Sequence, residues 1–328
     1  MASKEICLGI EGTAHTFGIG IVDGSANVLA NEYVMYSPKE GGIHPREAAN
    51  HHTEKAAEVI RNAMEKADIS KDDISLIAFS QGPGLGPCLR TAATAARTLS
   101  LSLGIPLIGV NHCIAHLEIG RALCHCSDPV LLYVSGGNTQ VISYANGRYR
   151  VFGETMDIGL GNMLDKFGRE MGMPFPAGPN IERMAAKGNN LIQLPYSVKG
   201  MDVSFSGILT AALNKEGHST EDICYSIQET TFAMLVEVTE RAMAHLGKSE
   251  VLLGGGVVRN RRLFKMVSDM CQSRGAECFV PPPSLCSDNG AMIAWTGLIM
   301  HRAGIRMSLE ETGINQRFRT DDVQVTWV

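Results

Sequence analysis

The chain has 328 residues, 45% of them hydrophobic and 19% charged, enough to bury the core of roughly two globular domains without staples. A net charge of −5 and a pI near 6.1 argue against an autonomous DNA or RNA binder, while leaving room for a local patch or a basic partner. No apolar run approaches the ~18 residues of a membrane span, and nine cysteines without regular spacing argue against a disulfide framework, so the expected setting is the reducing cytosol.

In chain order, Met1-Ala-Ser-Lys-Glu5 runs straight into a strand, an opening that reads as leaderless. Cys7–Gly24 reads as strand, Gly/Thr turn, second strand and an Asp23-Gly24 hairpin turn. A third strand is expected near Val28–Tyr36, then a loop, Ser37–Pro45. A helix follows, with apolar residues at Ala49, Ala56, Ile60, Ala63 and Ala67. The buried run Ile74–Phe79 closes in Gln81-Gly-Pro-Gly-Leu-Gly86. Next come a helix over Leu89–Leu103, a strand over Pro106–Val110, and the stretch Asn111-His-Cys-Ile-Ala-His116. The Asn50-His51-His52 run reads as a solvated helix start, and Cys124-His125-Cys126, lacking a second pair, as incidental thiols.

From Leu131 the pattern recurs. Leu131–Gly147 is strand, Gly/Thr turn, strand and an Asn146-Gly147 hairpin turn, followed by a strand over Arg148–Thr155 and a helix from Gly161. After an interruption come strand Val251–Leu253, the run Gly254-Gly-Gly256, helix Arg261–Arg274, strand Cys278–Val280 and Asp288 at the mouth of a last helix. Both halves run βββ-α-β-α-β-α, which predicts two similar α/β lobes facing each other across a cleft. The expected boundaries are 1–128 plus 303–328 for the first lobe and 129–302 for the second. The second carries an insertion at about 172–248, ending in a helix near Ile223–Leu246, of the kind that shapes a substrate pocket.

Three Gly-rich turns are candidates to hold phosphate: Glu11–Thr16, Ser135–Thr139 and Gly254–Gly256. His112 and His116, four apart, stack their rings on one helix face and could grip one divalent ion, although the same pair also fits a helix with two unrelated histidines. The duplication points to Asp288, at the matching strand end of the second half, as a third ligand from the opposite lobe. Ser287-Asp-Asn-Gly290 is equally a helix-capping sequence. Tyr133, two before Ser135, shares its strand face.

The paired turns resemble the actin, Hsp70 and sugar-kinase superfold, with duplicated ribonuclease H-like lobes and an interlobe nucleotide and metal cleft. Tyr133-Val-Ser-Gly-Gly-Asn-Thr-Gln140, Asn111–His116, Asp157–Asp165 and Cys286–Ala294 are together similar to motifs of the tRNA N6-adenosine threonylcarbamoyltransferase family. Glu11–Thr16 and Gln316–Val323 resemble its archaeal and eukaryotic branch, the catalytic subunit of the KEOPS complex.

The resemblance implies His112, His116, Tyr133 and Asp288 as ligands of one divalent metal per subunit. Iron is favoured by a tyrosinate with imidazoles, and zinc or manganese is chemically tolerable. It implies an adenine nucleotide held at the phosphate by Tyr133, Val134, Ser135, Gly136 and Gly137, and at ribose and base by Asp165, Gly178, Glu182 and Asn260. The implied reaction transfers threonylcarbamoyl from threonylcarbamoyl-adenylate to N6 of adenosine 37 in tRNAs reading codons that start with A. AMP is released, and no residue stands out as general base. The implied partners are tRNA and the KEOPS small atypical kinase and small dimerising subunit, in the cytoplasm. The rivals are an ATP-binding, Hsp70-like regulatory protein and a small-molecule kinase. A metalloprotease is disfavoured, since Cys113 stands where His-Glu-x-x-His needs its glutamate.

Overall fold

The computed structural model describes residues 5–38 and 42–328. The first four residues and residues 39–41 of the expected Ser37–Pro45 loop lie outside the described residues. Contacts divide the chain into two compact units. The first is Met1–Leu123 with Asn146–Tyr149 and Asp288–Val328; the second is Cys124–Ala145 with Arg150–Ser287.

The first unit opens with β1 (Ile6–Glu11), β2 (Thr16–Asp23) and β3 (Val28–Met35), followed by α1 (Pro45–Ala67), β4 (Leu76–Gly82), α2 (Gly86–Leu103), β5 (Leu107–Asn111) and α3 (His112–Cys124). Its sheet has the order β3-β2-β1-β4-β5; β1 is antiparallel to β2 and parallel to β4. β1 and β4 are buried along their whole length, as sheet-centre strands covered on both faces must be. Pro45 starts α1 with its φ already helical, and Gly104, left-handed at φ 66°, ends α2. The turn after β2 is longer than the expected two-residue hairpin. Asp23 accepts from the amides of Ser25 (2.9 Å) and Asn27 (3.0 Å), so its carboxylate organises a loop that the Asp-Gly pair alone does not make.

The second unit contains β6 (Val130–Val134), β7 (Thr139–Ala145), β8 (Arg148–Glu154), α4 (Leu160–Glu170), α5 (Gly178–Ala185), the short pair β9 (Val198–Lys199) and β10 (Asp202–Val203), α6 (Ser206–Leu213), α7 (Thr220–Leu246), β11 (Glu250–Gly254), α8 (Arg261–Ser273), β12 (Glu277–Phe279) and α9 (Pro283–Cys286). Its sheet order is β8-β7-β6-β11-β12, with β6 antiparallel to β7 and parallel to β11. Numbered within each copy, both sheets read third-second-first-fourth-fifth, the architecture that the duplicated sequence pattern predicts. Between β7 and β8, Asn146 (φ 53°) and Gly147 (φ 77°) make the tight turn expected there. The insertion belongs to the core of its unit, where Ile181, Phe205, Ile208 and Leu235 share one apolar cluster with Val130 and Leu132. Asp157 pins it, accepting from the amides of Phe205 (2.9 Å) and Ser206 (3.0 Å).

The last helix, α10 (Gly290–Arg302), corrects the expected boundary, which gave residues 288–302 to the second lobe. α10 packs on the first sheet at backbone distance. A Cβ on Gly20 would stand 1.9 Å from the Ala291 amide nitrogen, and one on Gly9 2.3 Å from that of Ala294. Gly→Ala at residue 20 should therefore overpack this contact and lower stability by about 1–3 kcal/mol or more in thermal unfolding. Gly→Ala at residue 207 in α6, where a Cβ meets nothing within 4 Å, should be neutral or slightly stabilising. Equal behaviour of the two variants would contradict the packing described.

Candidate functional site

His112 and His116 lie on the first two turns of α3, and both are buried. Asn111 fixes where that helix starts. Its Oδ1 accepts from the amides of Cys113 (3.0 Å) and Ile114 (3.3 Å), and its Nδ2 donates to the Phe318 carbonyl (3.1 Å). Asp288 immediately precedes Asn289, whose Oδ1 accepts from the Met292 amide at 2.9 Å and caps α10. The capping role thus falls to Asn289 and leaves the Asp288 carboxylate to the histidines.

Asp288 Oδ1 lies 3.3 Å from His112 Nε2 and 3.3 Å from His116 Nε2. The rings are edge-to-face at 4.9 Å, and the three donor atoms lie within 4.8 Å of one another. Ligand atoms about 2.1 Å from a shared ion, at an angle near 105°, stand about 3.3 Å apart. The donor set therefore fits one divalent ion. All three residues belong to the first unit, which corrects the expectation that Asp288 comes from the opposite lobe. The cause is the seating of α10 on β1 and β2.

Behind the trio stands a residue that sequence reading missed. Glu11, the last residue of β1, is fully buried and places Oε2 3.0 Å from His112 Nδ1. Its Oε1 accepts from the Thr13 amide (2.8 Å) and the Thr13 hydroxyl (2.6 Å). This revises the reading of Glu11–Thr16 as a phosphate turn. The Gly12 amide donates to Ser80 Oγ (2.9 Å), so the first two amides of the turn are already spent inside the protein. His52, expected to be solvated, is buried and its Nε2 meets the Ala14 carbonyl at 2.9 Å, clamping the same turn. Farther along α3, Glu118 is buried, with Oε1 accepting from Tyr149 (2.5 Å) and from the Trp327 indole (2.7 Å). The carboxyl-terminal segment is thereby tied to the helix that carries the histidines.

The remaining predicted residues lie in the second unit. Tyr133 is buried on β6, paired with Gln140 on one side and Gly254 on the other. Val134 ends that strand opposite Thr139. Ser135 closes the turn through its amide to the Asn138 carbonyl (2.8 Å), while Gly136 and Gly137 are exposed at the tip with no acceptor for their amides among the described residues. The amino end of α4 is pressed on this turn. The Gly161 and Asn162 amides donate to the Ser135 and Gly136 carbonyls, and a Cβ on Gly159 would lie 2.4 Å from the Gly136 oxygen. Gly255, at φ 94°, passes equally close to the Val134 carbonyl. Asp165 on α4 accepts from the Ala177 amide (2.7 Å), beside Gly178 at the start of α5. Glu182 on α5 accepts from the Arg261 amide (2.9 Å), and Asn260 caps α8. These residues all lie in one unit, and the side chains of Asp165, Glu182 and Asn260 each have a local structural partner.

A duplicated sheet of this topology, carrying two buried histidines and a half-buried Asp288 with converging donor atoms, defines a protein of the actin-like ATPase fold with a candidate metal site. Among solved structures the chain resembles Thermococcus kodakarensis HypF, with TM-score 0.66, 14% identity, and coverage of 92% of this chain and 48% of that one. It also resembles the Clostridium difficile activator of 2-hydroxyisocaproyl-CoA dehydratase, with TM-score 0.55, 13% identity, and coverage of 93% and 99%. At such identity these show the fold alone. The family profile described as TsaD, tRNA N6-adenosine threonylcarbamoyltransferase, matches residues 27–295. The chain belongs to the tRNA N6-adenosine threonylcarbamoyltransferase family. It is 58% identical to the Thermococcus kodakarensis protein of that description, over 98% of this chain and 99% of that one. A probable bifunctional tRNA threonylcarbamoyladenosine biosynthesis protein of Methanocaldococcus jannaschii is 57% identical, and there the chain spans 60% of the relative's length. Among the described residues, no helix is long and apolar enough to cross a membrane.

The electrostatics of the trio give a pH signature. Burial pushes the His116 imidazole below its usual range, with the Asp288 hydrogen bond opposing. Burial also disfavours the Asp288 carboxylate, but attraction to His112 and hydrogen bonds from both rings win, holding it well below the usual carboxylate range. A lowered histidine binds its proton more readily once unfolded, so stability is lost as pH falls below about 6.5; the Asp288 contribution is present above about pH 4 and lost below it. In the metal-free chain, the urea midpoint should fall between pH 7 and 5.5, and His116→Gln should show a shallower slope there. An unchanged slope would contradict a buried, neutral His116.

Proposed function

We propose that this chain transfers the threonylcarbamoyl group of threonylcarbamoyl-adenylate to N6 of adenosine 37 in tRNAs reading codons that start with A, releasing AMP. The observation that carries this reading is the end-to-end likeness to the Thermococcus kodakarensis tRNA N6-adenosine threonylcarbamoyltransferase. The trio His112, His116 and Asp288 supports it, because its three donor atoms converge as one ion requires. We assign these three and Tyr133 as ligands of a divalent metal, iron by preference. When bound, such an ion supplies Lewis-acid polarisation of a carbonyl or an anchor for substrate.

The protein's own groups have separate tasks. The open amides of Gly136 and Gly137 receive the phosphate of the adenylate, and stabilise the negative charge it carries away when the N6 amine attacks the carbamoyl carbon and the bond to phosphate breaks. Gly178 leaves room for a sugar or base, since a Cβ there meets nothing within 4 Å. Asp165, Glu182 and Asn260 orient the nucleoside. The adenine of the tRNA loop is unstacked to reach the site. The general base is unassigned. A protease reading lacks its base: Cys113 is buried with its thiol pushed up by burial, and Glu11 lies on the Nδ1 side of His112, away from Nε2.

The family resemblance points to the partners, and charge agrees with it. A chain of net charge −5 is poorly suited to hold a polyanion alone, so affinity for tRNA is supplied by KEOPS subunits, a small atypical kinase and a small dimerising protein, in the cytoplasm. The test is transfer from purified threonylcarbamoyl-adenylate to tRNA with those subunits present. Wild type should form the modified adenosine. His116→Ala should lose bound metal and activity while keeping its circular-dichroism spectrum and cooperative unfolding. No product from wild type in the assembled complex would sink the reading, and unfolding of His116→Ala would make that histidine structural. The isolated chain should bind tRNA only in the non-specific range, about 10⁻⁴–10⁻⁶ M at physiological salt.

A further inference from the structure

Glu11 has no task in the chemistry above, yet it is among the most completely enclosed carboxylates of the first unit. Its hydrogen bond with His112 Nδ1, at 3.0 Å, involves two side chains exposed by 0% and 4%. A neutral imidazole carries one proton and one lone pair on its two ring nitrogens, and only the bare nitrogen binds a metal. Asp288 faces Nε2 of His112 at 3.3 Å, and Glu11 faces Nδ1, so the two carboxylates sit on opposite edges of one ring. Thr13 fixes the orientation of Glu11. Both its donors converge on Oε1, leaving Oε2 for the imidazole, and the Thr13 hydroxyl is 3.5 Å from Nδ1, too far to compete.

We propose that Glu11 is the positioning residue of this centre: it accepts the Nδ1–H of His112, fixes the tautomer whose Nε2 is bare toward Asp288, and is itself held for that task by Thr13. This rests on the metal reading of His112, His116 and Asp288. It gives the first hairpin turn a role in holding a ligand's partner, where its Gly/Thr sequence pointed to phosphate. A carboxylate on the far nitrogen both orients a histidine and makes it a stronger donor.

The experiment uses the full chain, stripped of metal, titrated with Zn²⁺ and, under anaerobic conditions, Fe²⁺ against a chromophoric chelator. Glu11→Ala should weaken binding by about 10–100-fold, the range for lost partners of ligating histidines. Glu11→Gln, which keeps an acceptor, should lose less, and Thr13→Val less again in the same direction. Imidazole ¹⁵N shifts in the Zn²⁺-loaded chain should show His112 protonated at Nδ1 and ligating through Nε2 in wild type, and a loss of that single pattern in Glu11→Ala. Wild-type affinity and an unchanged tautomer in Glu11→Ala would overturn the proposal. If that variant does not fold, unchanged affinity in both Glu11→Gln and Thr13→Val overturns it. His116→Ala separates the two ideas. If it binds as tightly as wild type, the metal reading fails and takes this one with it. If it alone loses affinity, the metal reading stands and the role of Glu11 falls.

Discussion

The site depends on a contact with almost no side chain in it. α10 lies on β1 and β2 so closely that Gly9, Gly20 and Gly290 each occupy a place where a Cβ would collide with backbone at 2.4 Å or less. That approach decides where Asp288 stands, because it comes two residues before the helix begins. β1, pressed by the same helix, ends in Glu11, and the neighbouring β4 leads through β5 into α3. One packing event therefore gathers three stretches far apart in sequence, at residues 9–20, 112–116 and 288–294. A methyl group at residue 20 would disturb all of them, although what it meets is the backbone of α10 and none of the site's side chains.

What is gathered is expensive to enclose. Taking a carboxylate out of water costs several kcal/mol even after relaxation, and around His112 Glu11 is fully enclosed and Asp288 largely so. Well-packed apolar residues in such a place are often as stable or more so. The cluster is therefore not explained as a stabilising device, and the convergence of its three donor atoms is what a functional role would require. Nothing comparable is needed at the other end of α3. There Glu118 meets three donors, from Tyr149, Trp327 and Arg121, and is satisfied as a structural tie.

The duplication was legible because it rests on local chemistry. Gly/Thr turns between paired strands, and an Asn-Gly pair that adopts positive φ at both residues, are short-range signals, and two copies in the same order lead directly to two sheets of the same topology. The histidine pair was legible for the same reason, as an i, i+4 spacing on one helix. The allegiance of Asp288 was not. A helix as apolar as Gly290–Arg302 suits either sheet, and what decides is the missing Cβ at positions 9 and 20, some 270 residues away. Glu11 was hidden by its setting: in sequence it is an acid before a glycine turn, and its partner is 101 positions on. His52 misled by its neighbours, since Asn50 and His51 look like a solvated helix start while residue 52 points into the protein.

The two copies of the hairpin differ in where their backbone amides go. Each turn has four residues, Gly12–His15 and Ser135–Asn138, between strands in the same order. The residue that ends the first strand is Glu11 in one copy and Val134 in the other. With a carboxylate at that point, the turn folds its Thr13 donors inward, and the Gly12 amide goes to Ser80. With valine there, no acceptor draws the amides in, and Gly136 and Gly137 remain open at the tip, held from behind by α4 through Gly159 and Gly161. A turn cannot do both, because an amide donates once. The difference at this one position accounts for why the first turn is drawn in around Glu11 and the second keeps its tip amides open.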